Sequence, residues 1–342
     1  MKVQCSSCGQ TYNIPEDRLP KGKIIAFPCQ ACKAKIRLDM RACGDAGPGS
    51  ACGAGPGVDS CRSKALKERI LKTQGDLPSM LQVVMKAREV MANPKTGFKE
   101  IAAVLETDQA LAGRVLKMAN SAYYGLSGMV SSIQHASVVL GFKTLEEVIT
   151  LAGSTSFLGS ELTGYGIDSG GLWRHSLAVA FGSKIIAADR NSGLQEHAFT
   201  AGLFHDAGKI ILDPHVLERK AEFDAFRAEA QGSCFQAEQK LFGFDHADLA
   251  AELCTQWKIP EIQAVGVGFH HNPGAADGAD LAYILHVADL IAAMLEASAD
   301  IDPAWPQAAA GALERLGLQS QRLNEVVETV RGAVQKITEQ IS

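Results

Sequence analysis

The stretch Ala201–Leu212, AGLFHDAGKIIL, decides how this chain is read. Leu203, Phe204, Ala207, Ile210 and Ile211 recur at helical spacing, which predicts a buried helix through the whole segment. His205 and Asp206 stand side by side in it, and Lys209 follows on the same helical face as Asp206. Adjacent helical residues diverge by about 100°, yet both side chains still reach an ion lying beside the axis. A buried imidazole next to a buried carboxylate is costly unless each has a partner. A hydrogen-bonded core pair would meet that need, and so would a divalent metal ion.

Further histidines and aspartates decide between the two. His175 lies in GLWRHSLAVAFGSKIIAAD, on a helical face with Leu172, Val179, Gly182 and Ile186. His246 lies in FGFDHADLAAEL, His270 and His271 form a pair in GFHHNP, and Asp289 follows His286 in AYILHVADLIAAM. Two carboxylates and five imidazoles are enough for two ions, with Asp206 bridging them. Such ligands suit iron, manganese or zinc.

The order His175, His205-Asp206, Asp289 resembles the ligand order of the HD phosphohydrolase superfamily. Adding His246 and the His270-His271 pair makes it similar to the dinuclear pattern of the HD-GYP branch, the cyclic-di-GMP phosphodiesterases. The upstream segment Ile101–Phe142 resembles the first half of an HDOD domain instead, above all in ANSAYYG and in IQHA with LGF behind it. The resemblance runs from about Leu77 to Asp289. It implies a mainly α protein with an all-helical HDOD/HD-type domain. It also implies a metal site made of His175, His205, Asp206, His246, His270, His271 and Asp289, holding one or two divalent ions.

Composition sets the outer limits. A chain of 342 residues suffices for one large domain and an appendage, and 46% hydrophobic residues support a substantial core. The formal net charge of −5 gives no general attraction to nucleic acid or anionic membrane. The opening MKVQCSSCGQ lacks an apolar signal region, and no run approaches the roughly 18–20 apolar residues of a membrane span. A cytoplasmic protein without membrane contact is expected.

Residues 1–38 read as a unit of their own. Cys5 and Cys8 form one C-x2-C pair and Cys29 and Cys32 a second, with twenty residues between the pairs. Four thiolates complete a tetrahedral zinc shell at about 2.3 Å. The alternation at Ile24–Phe27 fits a short β-hairpin, so a small β zinc ribbon is expected, folded largely by its Zn2+. It resembles the N-terminal zinc ribbons of some bacterial regulatory proteins. Lys2, Arg18, Lys21, Lys23, Lys33, Lys35 and Arg37 make it basic, but only Tyr12 and Phe27 offer aromatic faces for stacking. Contact with a protein partner is therefore favoured over nucleic acid.

Residues 39–63, rich in Gly, Ala, Pro and Ser, read as a flexible linker. Cys43, Cys52 and Cys61 recur in it every nine residues, a spacing that suits exposed thiols better than a metal site. From residue 64 to 342 the pattern is helical: an N-terminal half (64–160), a half carrying the proposed ligands (168–297), and C-terminal helices (302–342). Breaks are expected at Asn191-Ser192-Gly193, Asp213-Pro214 and Ile259-Pro260. Asp108 is placed to cap the helix Gln109–Ala119, Asn120 to bond backbone, and His135 to be a surface or satisfied histidine. In the last helix Leu323, Val326, Val327, Val330, Val334 and Ile337 form one stripe, suited to packing on the domain or on another copy in a homo-oligomer.

Two functions follow. HDOD domains are mainly regulatory modules, which implies a signal-transduction protein with a retained metal site, a protein partner or small nucleotide ligand, and a ribbon for a further contact. The intact ligand set implies instead a metal-dependent phosphohydrolase acting on a nucleotide or cyclic dinucleotide, with Asp206 and Lys209 as its catalytic residues. Two departures weaken a cyclic-di-GMP assignment. Asn272-Pro273-Gly274-Ala275 stands where the Gly-Tyr-Pro element is expected, and Gly171 stands where some HD-GYP members place a further metal-binding glutamate. For the ribbon, Cys29→Ser is expected to cost the full chain one equivalent of bound zinc without loss of helical circular dichroism. A zinc content unchanged by that substitution would rule out the four-cysteine site.

Overall fold

The computed structural model describes residues 60–73, 78–93, 95–126, 128–230, 233–276, 278–296 and 305–341, together with four short strands nearer the N-terminus. The chain divides into two compact units, Met1–Gly57 and Val58–Ser342. In the first unit β1 (Lys2–Gln4) pairs antiparallel with β2 (Thr11–Asn13), and β3 (Ile24–Pro28) with β4 (Lys35–Asp39). Cys5 and Cys8 fall between β1 and β2 in the chain, and Cys29 and Cys32 between β3 and β4. All four, with Cys43 and Cys52, lie outside the described residues. Helix α1 (Ser60–Thr73) begins inside the stretch expected to be linker.

The described elements of the second unit are helices, with one isolated antiparallel bridge between Leu162 and Ile167. Helices α2 (Ser79–Ala92), α3 (Phe98–Leu105), α4 (Gln109–Ala119) and α5 (Ile133–Leu158) form its first half. Asp108 caps α4 by accepting from the Leu111 amide at 2.9 Å. Asn120 closes the following loop: its Nδ2 donates to the carbonyls of Leu116 and Val130, and its Oδ1 accepts from the Val130 amide. His135 is exposed on the first turn of α5. Gly141, at φ 72°, interrupts α5, a conformation that a side chain would disfavour.

The second half is built around α6 (Gly171–Arg190), which packs against α7 (Gln195–Phe204), α13 (Asp280–Glu296) and α15 (Ser320–Ile341). Being surrounded, α6 buries residues on nearly every face, from Leu172 and Trp173 to Ile186 and Ala187. On α15, Val326, Val330 and Ile337 are buried, so this stripe packs on the domain itself. Around them lie α8 (Ala207–Glu218), α9 (Lys220–Ala230), α10 (Cys234–Phe242), α11 (His246–Gln256), α12 (Glu261–Gly268) and α14 (Trp305–Leu316).

Two local expectations are corrected. Ala201–Leu212 is not one continuous helix: α7 ends at Phe204 and α8 starts at Ala207. Asp206 sits between them at φ −99°, ψ 8°, outside the helical region, and this break turns the backbone at the His205-Asp206 pair. Pro214 does not break the chain and lies inside α8. The expected breaks after Asn191 and at Ile259-Pro260 are present, the first as a single 3-10 turn.

Close backbone approaches hold the second half together. A Cβ on Gly208 would lie 2.0 Å from the His246 carbonyl oxygen, and one on Gly202 would lie 2.8 Å from the backbone of α6 at Val179 and Ala180. Gly208→Ala should therefore push α8 from α11 and lower stability in urea denaturation by about 1–3 kcal/mol. Gly113→Ala, on α4 with nothing within 4 Å of the added methyl, should instead stabilise by up to about 1 kcal/mol.

Candidate metal centre

Helix ends deliver most of the candidate ligands. His205 and Asp206 occupy the α7–α8 break, His246 opens α11, and His270 and His271 follow α12. His175 and Asp289 come from the bodies of α6 and α13, which pack against each other. The chain's fold brings all seven residues, and Lys209, to one place.

Asp206 is at the middle. Its Oδ2 lies 3.7 Å from His175 Nε2, 3.5 Å from His205 Nε2 and 2.7 Å from Lys209 Nζ. Its Oδ1 lies 3.0 Å from His246 Nε2 and 4.0 Å from His270 Nε2. The two oxygens thus face two different sets of imidazoles. Asp289 Oδ1 completes the first set, 3.0 Å from His175 Nε2 and 3.7 Å from His205 Nε2. His271 completes the second, its Nε2 facing His246 Nε2 at 2.9 Å.

Three of the ligand rings are oriented from behind. His205 Nδ1 donates to the Gly202 carbonyl at 2.8 Å, and His270 Nδ1 to the Val267 carbonyl at 2.7 Å. Both are bonds three residues back along the chain, and they turn Nε2 toward the centre. His246 Nδ1 donates to the buried Glu238 carboxylate at 2.7 Å. His286, also buried, donates from Nδ1 to the His270 carbonyl at 2.7 Å and so braces the histidine pair.

The electrostatics follow from burial and neighbours. Burial opposes charge on Asp206, but His205, Lys209 and His246 outweigh it and hold the carboxyl well below its ordinary range. Asp289 is likewise lowered against its burial by His175, which hydrogen-bonds it, and by the nearby His205. Burial, with neighbouring histidines, lowers His270 to about 3 and His271 well below its usual value, so both are neutral, ligand-ready rings at pH 7. Burial also opposes charge on His246, yet Glu238 and Asp206 on either side raise it to about 10.

The residues fit a metal. The Nε2 atoms of His205 and His270 are buried with no hydrogen-bond partner, a costly arrangement that a bound cation relieves. Three overlapping groups, His175-His205-Asp206, His205-His270-Asp289 and His246-His270-His271, have ligand atoms within 4.8 Å of one another. Atoms sharing an ion at about 2.0–2.2 Å lie up to about 4.4 Å apart, so little closure is needed. His175, Asp289 and Lys209 each leave 15% of the side chain exposed, which marks the side open to solvent.

Sequence reasoning passed over Glu238, Tyr165, Phe235 and the bracing role of His286. One signal for Glu238 was present. In CFQAEQKLF it shares the buried face of α10 with Cys234, Ala237 and Phe242, an acid on an apolar stripe.

Residues 77–273 match the model of the HDOD domain. An uncharacterized protein of Treponema pallidum (strain Nichols) is 23% identical over 198 residues, which cover 58% of this chain and 38% of that protein, so the chain spans well under half of the relative's length. A solved structure from Shewanella amazonensis SB2B, described as a "Putative phosphohydrolase", is 25% identical, with a TM-score of 0.63 over 81% of this chain and 98% of its own. An HDOD domain protein with unknown function from Geobacter sulfurreducens shares the fold at 24% identity and a TM-score of 0.64, again covering 81% and 98%. None of the described helices is long and apolar enough to cross a membrane. A family match over more than half of the chain, on the helical fold described above, places this protein in the HDOD family.

Proposed function

We propose that this protein is a bacterial signal-transduction regulator of the HDOD type whose metal centre binds a phosphate-bearing nucleotide. The observation that carries the reading is the division of Asp206, with Oδ2 toward His175 and His205 and Oδ1 toward His246 and His270. A carboxylate placed in this way could help to hold two divalent ions, of iron, manganese or zinc. Lys209 and the exposed edges of His175 and Asp289 give that centre one face to solvent, where a phosphate would arrive. The ribbon, with zinc held by Cys5, Cys8, Cys29 and Cys32, supplies a separate contact for a protein partner.

Hydrolysis is the second reading, and the Lys209–Asp206 pair favours it. The Lys209 ammonium lies at the open face, where it would oppose negative charge gathering on a transferring phosphoryl group. Bound ions would supply an activated water and a clamp for a phosphate oxygen. The name of the Shewanella relative supports this reading. Against fast turnover stands the loop after His271, a short 3-10 turn at Pro273–Ala275 with no Gly-Tyr-Pro element to shape a pocket. Positioning contributes as much to rate as activation does.

With manganese or ferrous iron, hydrolysis of cyclic-di-GMP and common nucleotides should run below about 1 s⁻¹, under the usual enzyme range. Asp206→Ala should remove the ions, nucleotide binding and any residual hydrolysis together. Rapid cyclic-di-GMP cleavage abolished by Asp206→Ala would make the protein an enzyme first. Nucleotide binding unchanged by that substitution would place the ligand elsewhere.

A further inference from the structure

We infer that helix α10, which contributes no ligand, sets the second ion position through Glu238, a positioning residue that fixes the ring of His246. The inference rests on the two-ion reading above and names what builds its second half.

His205 and His270 are oriented cheaply. Each lies at the C-terminal end of a helix, where a carbonyl three residues back is free to accept from Nδ1. His246 has no such partner, because it is the first residue of α11 and a helix N-terminus presents amide donors rather than carbonyls. An acceptor must come from another element, and Glu238 is that acceptor. Its Oε2 takes the His246 amide at 2.6 Å and His246 Nδ1 at 2.7 Å, and its Oε1 takes the Tyr165 hydroxyl at 2.8 Å. Both carboxylate oxygens are thereby used.

Glu238 is 0% exposed, and among the described residues His246 is the cation-forming group within hydrogen-bond reach of it. Burying a carboxylate is expensive, and this one spends all its hydrogen bonds on a single histidine and on the tyrosine that steadies it. With Nδ1 bonded to Glu238, the ring is fixed so that Nε2 is turned toward Asp206 Oδ1 and His271, the position from which it would bind an ion. A carboxylate behind a metal-binding imidazole also raises its strength as a ligand. Three residues earlier on the same face of α10, Phe235 stacks on His271 with centroids 4.6 Å apart and planes 12° from parallel. One helix face therefore orients both His246 and His271 and neither His175 nor His205.

The test is manganese titration of the full chain, with electron paramagnetic resonance to separate isolated from spin-coupled Mn2+. The wild type should take two Mn2+ with a coupled spectrum. Glu238→Gln keeps the shape and loses the charge, and should weaken the second ion by about tenfold; Glu238→Ala should weaken it by about a hundredfold. In both, the first ion should stay and the spectrum should become that of isolated Mn2+, as it should in His246→Ala. Tyr165→Phe, which leaves every ligand and the carboxylate in place, should cause a smaller loss confined to the second ion. A wild type with two coupled ions and Glu238 variants that keep both at unchanged affinity would overturn the positioning role and leave the two-ion centre standing. A wild type that takes one ion would overturn both. Loss of both ions together with helical circular dichroism in Glu238→Gln, and no effect of Tyr165→Phe, would make Glu238 a fold residue only and overturn the inference.

Discussion

Asp206 is an almost fully buried carboxylate that stays charged because cationic and imidazole groups surround it. That constraint explains much of the surrounding architecture. A lone buried charge would be strongly destabilising. Lys209 answers one oxygen directly, and four imidazole nitrogens approach the two oxygens from separate helices. The break between α7 and α8 is part of the same solution. A continuous helix would keep His205 and Asp206 about 100° apart around one axis. The non-helical backbone at Asp206 turns the pair toward the same cluster.

The supporting shell uses two kinds of acceptor for a reason rooted in helix geometry. At helix C-termini the last carbonyls lack helical partners, so His205 and His270 find their hydrogen bonds locally. At the N-terminus of α11 the free groups are donors, and the structure brings in a buried glutamate from α10. Gly208 lets α8 come close enough to α11 for Asp206 and His246 to meet. The distance of 3.0 Å between them thus depends on the absence of one methyl group.

This arrangement bears on function through what it leaves open. The ligand cluster is buried on most sides and meets solvent along His175, Asp289 and Lys209. On the proposed function, such an opening would suit a small anionic group better than a large surface. Away from it, Glu147 forms a second polar cluster with Lys184 and Tyr124 in the region between α5 and α6, where the first half of the domain meets the second. The ligands are therefore carried by packed helices and their ends, tied to the first half of the domain through this contact.

Much of this was legible in the residues alone. The helical period of the second half, the cap at Asp108 and the backbone role of Asn120 follow from local pattern, while the gathering of His175, His205, Asp206, His246, His270, His271 and Asp289 was implied by the resemblance of their order to that of HD phosphohydrolases, and the fold brings those seven side chains together. Local pattern could not show that the helix breaks at Asp206 or continues through Pro214, because tertiary packing decides whether a turn is bent or kept. Nor could it choose between packing and self-association for the stripe on α15, since an apolar face looks the same before its partner is known. Glu238 is the clearest case. Nothing in its spacing from His246 marks it, and only the packing of α10 against α11 places its carboxylate behind that ring, because hydrogen-bond partners are chosen by distance in space and not along the chain.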